Sequence, residues 1–284
     1  HLPEAFVDPG DVVICPDPGY PPYAGGALFA EGTPYYAAVN HATDFLPDLE
    51  SIPDEMADKA KIFWLTTPSS PSGKIASLEY LEKWIQWCKE RDIIACSDEA
   101  YSEIYFGDPP HSALEVSTEG VLVFNSLSKR SAMTGYRVGW VAGDAELIAP
   151  YRKLKANIDT GTPWFIQDAA IAAYSDESHV QLMRDEYRVR RDLFVAAFEK
   201  AGLPRCEPDA SMYVWQRAPE GVSSADLAEA LLDEKILAVT IPSSALVGNA
   251  SLHGPGEQFV RLSMVANWED SQRLANAIEN HLRL

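Results

Sequence analysis

The chain has 284 residues, of which 46% are hydrophobic and 23% charged, a composition typical of a globular protein and not of a disordered one. Forty-two acidic residues against 23 basic ones give a net charge of −19, which argues against nucleic acid as a partner because like charges repel. No apolar run approaches the roughly 18 residues that span a bilayer, and no basic start leads into an apolar stretch, so we expect neither a membrane helix nor a signal peptide.

The cysteines and histidines do not form a metal-binding or disulfide pattern. The four cysteines lack Cys-x-x-Cys spacing, and the six histidines are scattered along the chain. Reduced thiols in the cytoplasm are the simplest interpretation. The sequence therefore predicts a cytoplasmic protein without a metal.

Short apolar runs alternate with a helical pattern in the first half of the chain. Four runs of four to six apolar residues end in turn or polar residues, at 11–18, 61–68, 92–99 and 121–126. Such continuous runs are typical of a parallel sheet that is covered on both faces. Between the second and third runs, apolar residues repeat at helical spacing behind Ser77, a suitable helix cap. We therefore predict an α/β layer, in which ligands bind beyond the carboxyl ends of the strands.

The second half of the chain has a different pattern. Residues 161–174 and 177–202 predict long helices, and Gly202 ends the second. A helix over 223–235, strands over 236–242 and 258–265, and a terminal helix from Glu269 follow. We predict a large domain over residues 1–180 and a smaller α+β domain over residues 181–284.

The end of the fourth apolar run carries an unusual lysine. Lys129 follows Ser126 and Ser128, and Arg137 comes eight residues later. Two hydroxyls and a guanidinium near a helix start suit a phosphate. The lysine could be another phosphate contact, or it could be an amine that attacks a carbonyl, since the pKa of lysine falls readily on burial.

The end of the third run carries a second candidate pair, Asp98 and Tyr101. An aspartate there is often only a helix cap. One cofactor would use all of these groups, because pyridoxal 5′-phosphate offers an aldehyde to the lysine, a phosphate to serine and arginine, and a ring nitrogen to the aspartate.

These residues carry a resemblance to the class I/II aminotransferases, which are fold-type I pyridoxal phosphate enzymes. The segment SLSKRSAMTGYRVGW resembles the family's S-x-S-K segment, with its arginine eight residues beyond the lysine. The resemblance implies that Lys129 binds the aldehyde of the cofactor covalently. It also implies that Ser126, Ser128 and Arg137 bind the phosphate.

Three further motifs resemble the same family in the expected order. SDEAY resembles the D-x-x-Y motif, which implies that Asp98 binds the pyridine nitrogen and Tyr101 the ring 3′-oxygen. PDPGYPPY implies that Tyr20 stacks on the ring, and QFVRLSMV implies that Arg261 binds the α-carboxylate of the substrate. A bidentate guanidinium–carboxylate pair fixes orientation as well as charge.

The sequence departs from the family pattern in two places. Ser70 stands where the family usually has an asparagine that hydrogen-bonds to the ring 3′-oxygen, and its shorter side chain would reach that oxygen only through water. The chain also begins at His1 without Met, where the family has a glycine-containing phosphate loop and an N-terminal arm upstream. We therefore expect that an N-terminal portion is missing.

The resemblance implies a homodimer that transfers an amino group between an amino acid and a 2-oxo acid by ping-pong kinetics. SLSKRSAMTGYRVGWVAGD and AAYSDESHVQLMRDEYRVRRDLF are similar to aminotransferases of the lysine and diaminopimelate pathway, which points to N-succinyl-LL-2,6-diaminopimelate and 2-oxoglutarate. HLPEAFVDPGDVVICPDPGYPPY is similar to LL-diaminopimelate aminotransferases. An alanine- or aspartate-type aminotransferase, a C–S β-lyase of the same fold and an inactive truncated fragment are the alternatives.

Overall fold

A computed structural model describes residues 1–252 and 257–284, in which the strands form two separate sheets. The large sheet has the order β2-β1-β3-β4-β5-β6. Its strands are β1 (Val12–Asp17), β2 (Thr33–Ala38), β3 (Ala60–Thr66), β4 (Ile94–Asp98), β5 (Val121–Ser126) and β6 (Gly139–Gly143). The first five are parallel, and β6 runs antiparallel to β5.

Helices cover both faces of this sheet. The helices of the first 180 residues are α1 (Pro3–Phe6), α2 (Pro22–Phe29), α3 (Asp54–Ala57), α4 (Leu78–Lys89), α5 (Leu127–Arg130), α6 (Ala145–Ile158) and α7 (Trp164–Tyr174). Side chains of β1 alternate between two apolar clusters, Ile14 in the one that contains Trp84 of α4 and Val13 in the one that contains Tyr23 of α2. The predicted α/β fold with a mainly parallel, doubly covered sheet is confirmed.

The carboxyl ends of the parallel strands meet at one edge of the large sheet. Thr66, the last residue of β3, is paired with Asp98, the last residue of β4, and Asp98 is paired with Phe124 of β5. Since parallel strands in register end together, the polar residues that follow them come close in space.

The second sheet is small and antiparallel, with the order β7-β9-β8. Its elements are α8 (Ser178–Lys200), β7 (Tyr213–Arg217), α9 (Ser224–Leu232), β8 (Ile241–Pro242), β9 (Phe259–Ser263) and α10 (Trp268–His281). Residues of α8, α9 and α10 pack on the sheet in a separate apolar cluster that includes Phe198, Leu227 and Ile278. The domain boundary at residue 180 stays a prediction.

The predicted strand over residues 236–242 is wrong for most of its length. Only Ile241 and Pro242 form a strand. Leu237 has a φ of 59°, and the N–H of Ala238 bonds to the carbonyl oxygen of Leu231 in the last turn of α9. A left-handed residue cannot continue an extended strand, so the segment forms a helix-terminating turn in spite of its β-branched composition.

A buried carboxylate joins the small sheet's loop to the large sheet. Asp17, at the end of β1, is 1% exposed and accepts hydrogen bonds from the backbone N–H groups of Gly248 (2.6 Å) and Asn249 (2.9 Å). Gly248 lies under the ring of Tyr36, where a Cβ would stand 2.2 Å from the ring. A side chain at position 248 would collide with that ring, and the two bonds to Asp17 hold residues 248 and 249 against β1 and β2.

Asp17→Asn should lower the free energy of unfolding by about 1–3 kcal/mol. Asparagine has one carbonyl oxygen, so one of the two backbone N–H groups would lose its acceptor and face an amide NH2 group. Urea denaturation measures the effect, with the exposed Asp58→Asn as the control. Equal denaturation midpoints for both variants would contradict this role of Asp17.

None of the helices within residues 1–252 and 257–284 is long and apolar enough to cross a membrane.

Candidate functional site

Asp98 lies at the centre of the polar edge formed by the ends of β3, β4 and β5. Its carboxylate accepts a hydrogen bond of 2.6 Å from the Tyr23 hydroxyl and one of 3.1 Å from the backbone N–H of Ala100. Burial raises the pKa of Asp98, and the Tyr23 bond, the Ala100 bond and the charge of Lys129 partly offset this rise. A buried carboxylate whose direct donors are neutral favours a cationic N–H as a further partner.

Tyr23 is a residue of this site that the sequence analysis missed. Its ring is buried and stacks on Trp64, with the centroids 4.6 Å apart, and its hydroxyl also lies 2.9 Å from Thr66 Oγ1. Tyr20, the residue predicted to stack on the cofactor, is 55% exposed and contacts Tyr23 edge-on. Its position could have indicated this role, because Tyr23 lies in the first turn of α2 and faces the sheet.

Lys129 lies in the single turn of α5 directly after β5. Ser126 caps this turn, since its hydroxyl accepts a hydrogen bond from the backbone N–H of Ser128. The Lys129 Nζ atom is half-buried above the ring of Tyr101, 5.6 Å from the centroid. The lysine and Asp98 therefore face the same space beyond the strand ends.

Tyr101, whose ring lies under the Lys129 amine, is in contact with Ser70. Tyr101 is buried, and burial is the largest cause of its raised pKa. The Ser70 side chain hydrogen-bonds to Tyr101, which lowers that pKa in part. The serine at the usual asparagine position thus remains in contact with the tyrosine of the D-x-x-Y motif.

The predicted phosphate-binding residues surround the start of α5. Ser126 Oγ lies 2.8 Å from Ser128 Oγ and 3.1 Å from the carbonyl oxygen of Val138. Arg137 is exposed, with a φ of 54°, and its guanidinium donates to the carbonyl oxygen of Thr134. Hydroxyls, a helix start and an exposed guanidinium form a donor set that suits a phosphate.

Arg261 extends the site from the small sheet. Its guanidinium lies over the ring of Tyr213, 4.5 Å from the centroid. The hydroxyl of Tyr213 lies 3.4 Å from that of Tyr101, so the arginine of β9 is connected through Tyr213 to the residue beneath Lys129. Like Tyr23, Tyr213 was not identified from the sequence.

The donor set fits pyridoxal phosphate. Asp98 offers a buried carboxylate to a ring N–H, Lys129 offers an amine to an aldehyde, and Ser126 and Arg137 offer donors to a phosphate. The described residues include no cluster of His, Cys, Asp and Glu side chains that could hold a metal ion. His253, one of the six histidines, lies outside the described residues.

Known proteins resemble this chain over nearly its whole length. The family model "Aminotransferase class I and II" matches residues 1–279. An LL-diaminopimelate aminotransferase of Aquifex aeolicus is 42% identical over 284 residues, which cover 99% of this chain and 72% of that protein.

Solved structures show the same likeness in three dimensions. The crystal structure of an aminotransferase from Neisseria meningitidis is 30% identical and superimposes with a TM-score of 0.92, covering 99% of this chain and 73% of the other. A probable N-succinyldiaminopimelate aminotransferase from Thermus thermophilus is 26% identical, with a TM-score of 0.88 over 99% of this chain and 74% of the other. The chain belongs to the class I and II aminotransferases and is a pyridoxal phosphate-dependent enzyme that acts on amino acids and 2-oxo acids.

Proposed function

We propose that this aminotransferase takes its amino group from a 2,6-diaminopimelate-type donor and passes it to 2-oxoglutarate, with Lys129 as the catalytic residue. The observation that carries the site assignment is the position of the Lys129 amine above Tyr101, with its charge acting on the buried Asp98 carboxylate. An amine and a buried carboxylate around one space are the two groups that a pyridine aldehyde needs from the protein.

The cofactor supplies an aldehyde that condenses with amines and a protonated ring into which the electron pair of a broken Cα–H bond delocalises. In our proposal Asp98 holds the ring N–H, and Tyr23 and the Ala100 N–H hold Asp98 in place. Tyr20 stacks on the ring. Tyr101 would donate to the ring oxygen, and Ser70, which hydrogen-bonds to Tyr101, would reach that oxygen only through water. Ser126, Ser128 and Arg137 bind the phosphate.

Lys129 has two roles in this proposal. Its amine would hold the cofactor through the aldehyde. The same amine, when it is free, would take the proton from the α-carbon of the substrate as a general base and would give it back as a general acid. Its half-buried position near Asp98 allows it to reach the reacting atoms while water has limited access.

Arg261 binds the α-carboxylate of the substrate in our proposal. The guanidinium lies over the ring of Tyr213, which takes no hydrogen bond from its N–H groups and leaves them available for a bidentate pair with a carboxylate. Both half-reactions use the same contact, because amino acids and 2-oxo acids share the α-carboxylate. One site can therefore take the amino acid and the 2-oxo acid in turn, as ping-pong kinetics requires.

The relatives support the donor class. The Aquifex aeolicus protein, 42% identical over 99% of the chain, is named an LL-diaminopimelate aminotransferase. The structure named a probable N-succinyldiaminopimelate aminotransferase is more distant, at 26% identity. We therefore propose LL-diaminopimelate as the preferred donor and its N-succinyl derivative as the second.

We also propose that the enzyme is a homodimer. On α7, Trp164, Phe165 and Ile171 are 81, 72 and 65% exposed, a set of large apolar side chains that water solvates poorly. A second copy of the chain would cover such a surface, as in closed two-fold assemblies.

A donor panel tests the proposed reaction. The enzyme is incubated with 2-oxoglutarate and, in separate reactions, LL-diaminopimelate, N-succinyl-LL-diaminopimelate, alanine or aspartate. We expect one glutamate for each donor consumed, with the largest kcat/KM for LL-diaminopimelate. In a further reaction without an acceptor, the β-thio amino acid cystathionine is the only substrate, and its cleavage to a thiol, pyruvate and ammonia would instead show a C–S β-lyase. A faster reaction with alanine or aspartate would overturn the donor class. The molar mass of the same preparation in solution checks the dimer.

A further inference from the structure

Tyr213 lies between Arg261 of the small sheet and Tyr101, the residue beneath Lys129. It is the first residue of β7, where it pairs with Ser263 of β9, while Trp215 pairs with Arg261. Tyr213 and Arg261 are therefore diagonal neighbours on one face of the small sheet, at the spacing at which long side chains meet. The strand pairing itself brings the ring under the guanidinium.

The ring of Tyr213 is the contact that holds the guanidinium of Arg261 in place. The Cζ atom of Arg261 stands 4.5 Å from the ring centroid of Tyr213. Within residues 1–252 and 257–284, no acidic side chain forms an ion pair with Arg261, so the ring is the contact that orients it. An arginine stacked on an aromatic face keeps its N–H groups in plane and free for a carboxylate, and the stack restricts its rotamers.

The hydroxyl of Tyr213 places this arginine relative to the lysine. It lies 3.4 Å from the hydroxyl of Tyr101, and the two rings meet edge-on with centroids 6.1 Å apart. Tyr101 in turn lies under the Lys129 amine. A continuous row of contacts therefore runs from Arg261 through the two tyrosines to Lys129.

We propose that Tyr213 is a positioning residue for substrate recognition, in which the aromatic ring holds Arg261 ready for the α-carboxylate. The proposal rests on the proposed function, because it takes Arg261 as the carboxylate partner. The ring has the larger role, since the hydroxyl contact with Tyr101 is long for a hydrogen bond. Removing the ring should therefore weaken substrate binding more than it slows proton transfer.

Two variants separate the ring from the hydroxyl. Tyr213→Phe keeps the ring under Arg261, whereas Tyr213→Leu removes it. The probe is 2-methylalanine, which has an α-carboxylate but no α-proton, so it can bind without transferring its amino group. Its dissociation constant is read from the change in visible absorbance of the holoenzyme.

We expect Tyr213→Leu to raise the dissociation constant of 2-methylalanine and the KM of the donor by about tenfold, with a smaller change in kcat. Tyr213→Phe should change both constants by less than about threefold. The affinity of the apoenzyme for pyridoxal phosphate should be the same in both variants, because the ring lies on the substrate side. Trp87→Leu is the matched control, since it removes from α4 an aromatic ring that lies beneath Arg91, and it should change none of these constants.

The outcomes that overturn the proposal are distinct from those that overturn the site. If Arg261→Leu weakens 2-methylalanine binding but Tyr213→Leu does not, the positioning role of Tyr213 is wrong. A tenfold loss in Tyr213→Phe would assign the role to the hydroxyl and also overturn the proposal. If Arg261→Leu leaves the binding unchanged, Arg261 is not the carboxylate partner, and the proposed function of that residue is wrong instead.

Discussion

Lys129→Ala should slow the conversion of the amino donor by about 10⁴-fold or more, as measured by single-turnover absorbance changes. In our proposal the variant loses both the amine that binds the aldehyde and the base that moves the α-proton. Among the described side chains that surround Tyr101, Lys129 supplies the amine above the ring. A small primary amine added to the solution should restore part of the rate, because proton transfer needs an amine at this position.

The cofactor gives a second measurement that does not depend on turnover. Borohydride reduction of the wild-type holoenzyme should attach the cofactor to the peptide that contains Lys129, and mass spectrometry should find no such adduct in the variant. The exposed Lys59→Ala is the control and should behave as wild type in both measurements. An adduct on a different lysine, or a variant with wild-type turnover, would contradict the assignment of Lys129.

The edge at which the site lies could be predicted from the sequence because parallel strands leave a strong signal. Four of the strands were predicted from continuous apolar runs, and β4 and β5 end at Asp98 and Ser126, where the polar residues begin. β2 and β6 were not predicted. Thr33–Ala38 begins with a threonine and a proline at the edge of the sheet, and Gly139–Gly143 is short and bounded by glycines, so neither contains a long apolar run.

The residues that support the site were harder to find, because each acts across a long sequence separation. Tyr23 contacts Asp98 over 75 residues, Tyr213 contacts Tyr101 over 112, and Asp17 contacts Gly248 over 231. Local patterns predict helices and strands, but no local pattern specifies which buried hydroxyl meets which carboxylate. Motif resemblance predicted the residues that would contact the cofactor. Only the fold shows which other residues, such as Tyr23, hold those side chains in position.

Asp98→Asn should reduce the single-turnover rate of the amino donor by about 10²–10³-fold. Asparagine has nearly the same shape, and its carbonyl oxygen can still accept from the Ala100 N–H. It cannot form an ion pair with a protonated ring nitrogen, however, so the negative charge that develops at the α-carbon loses its electrostatic support. We expect KM to change much less than kcat, since Asp98 does not contact the substrate carboxylate in our proposal.

The same substitution should change how stability depends on pH in the apoenzyme. Burial raises the pKa of Asp98 above its value in the unfolded chain, so between these two values the folded state binds more protons than the unfolded state. The contribution of Asp98 to stability is thus greatest below its unfolded pKa of about 4, and it is lost as the pH rises through the folded pKa. Asparagine does not titrate, and the unfolding free energy of the variant relative to wild type should increase from pH 4 to pH 7.

Glu99→Gln separates this electrostatic effect from catalysis. Glu99 is also buried with a raised pKa, but it binds Ser97 and the Ala113 N–H on the other side of the strand end. Urea denaturation of the apoenzymes across pH should therefore show the same direction of change for both variants, whereas only Asp98→Asn should slow the reaction. Equal rates for Asp98→Asn and wild type would exclude Asp98 as the partner of the ring nitrogen. A stability difference between them that does not vary with pH would mean that Asp98 does not titrate as a buried carboxylate.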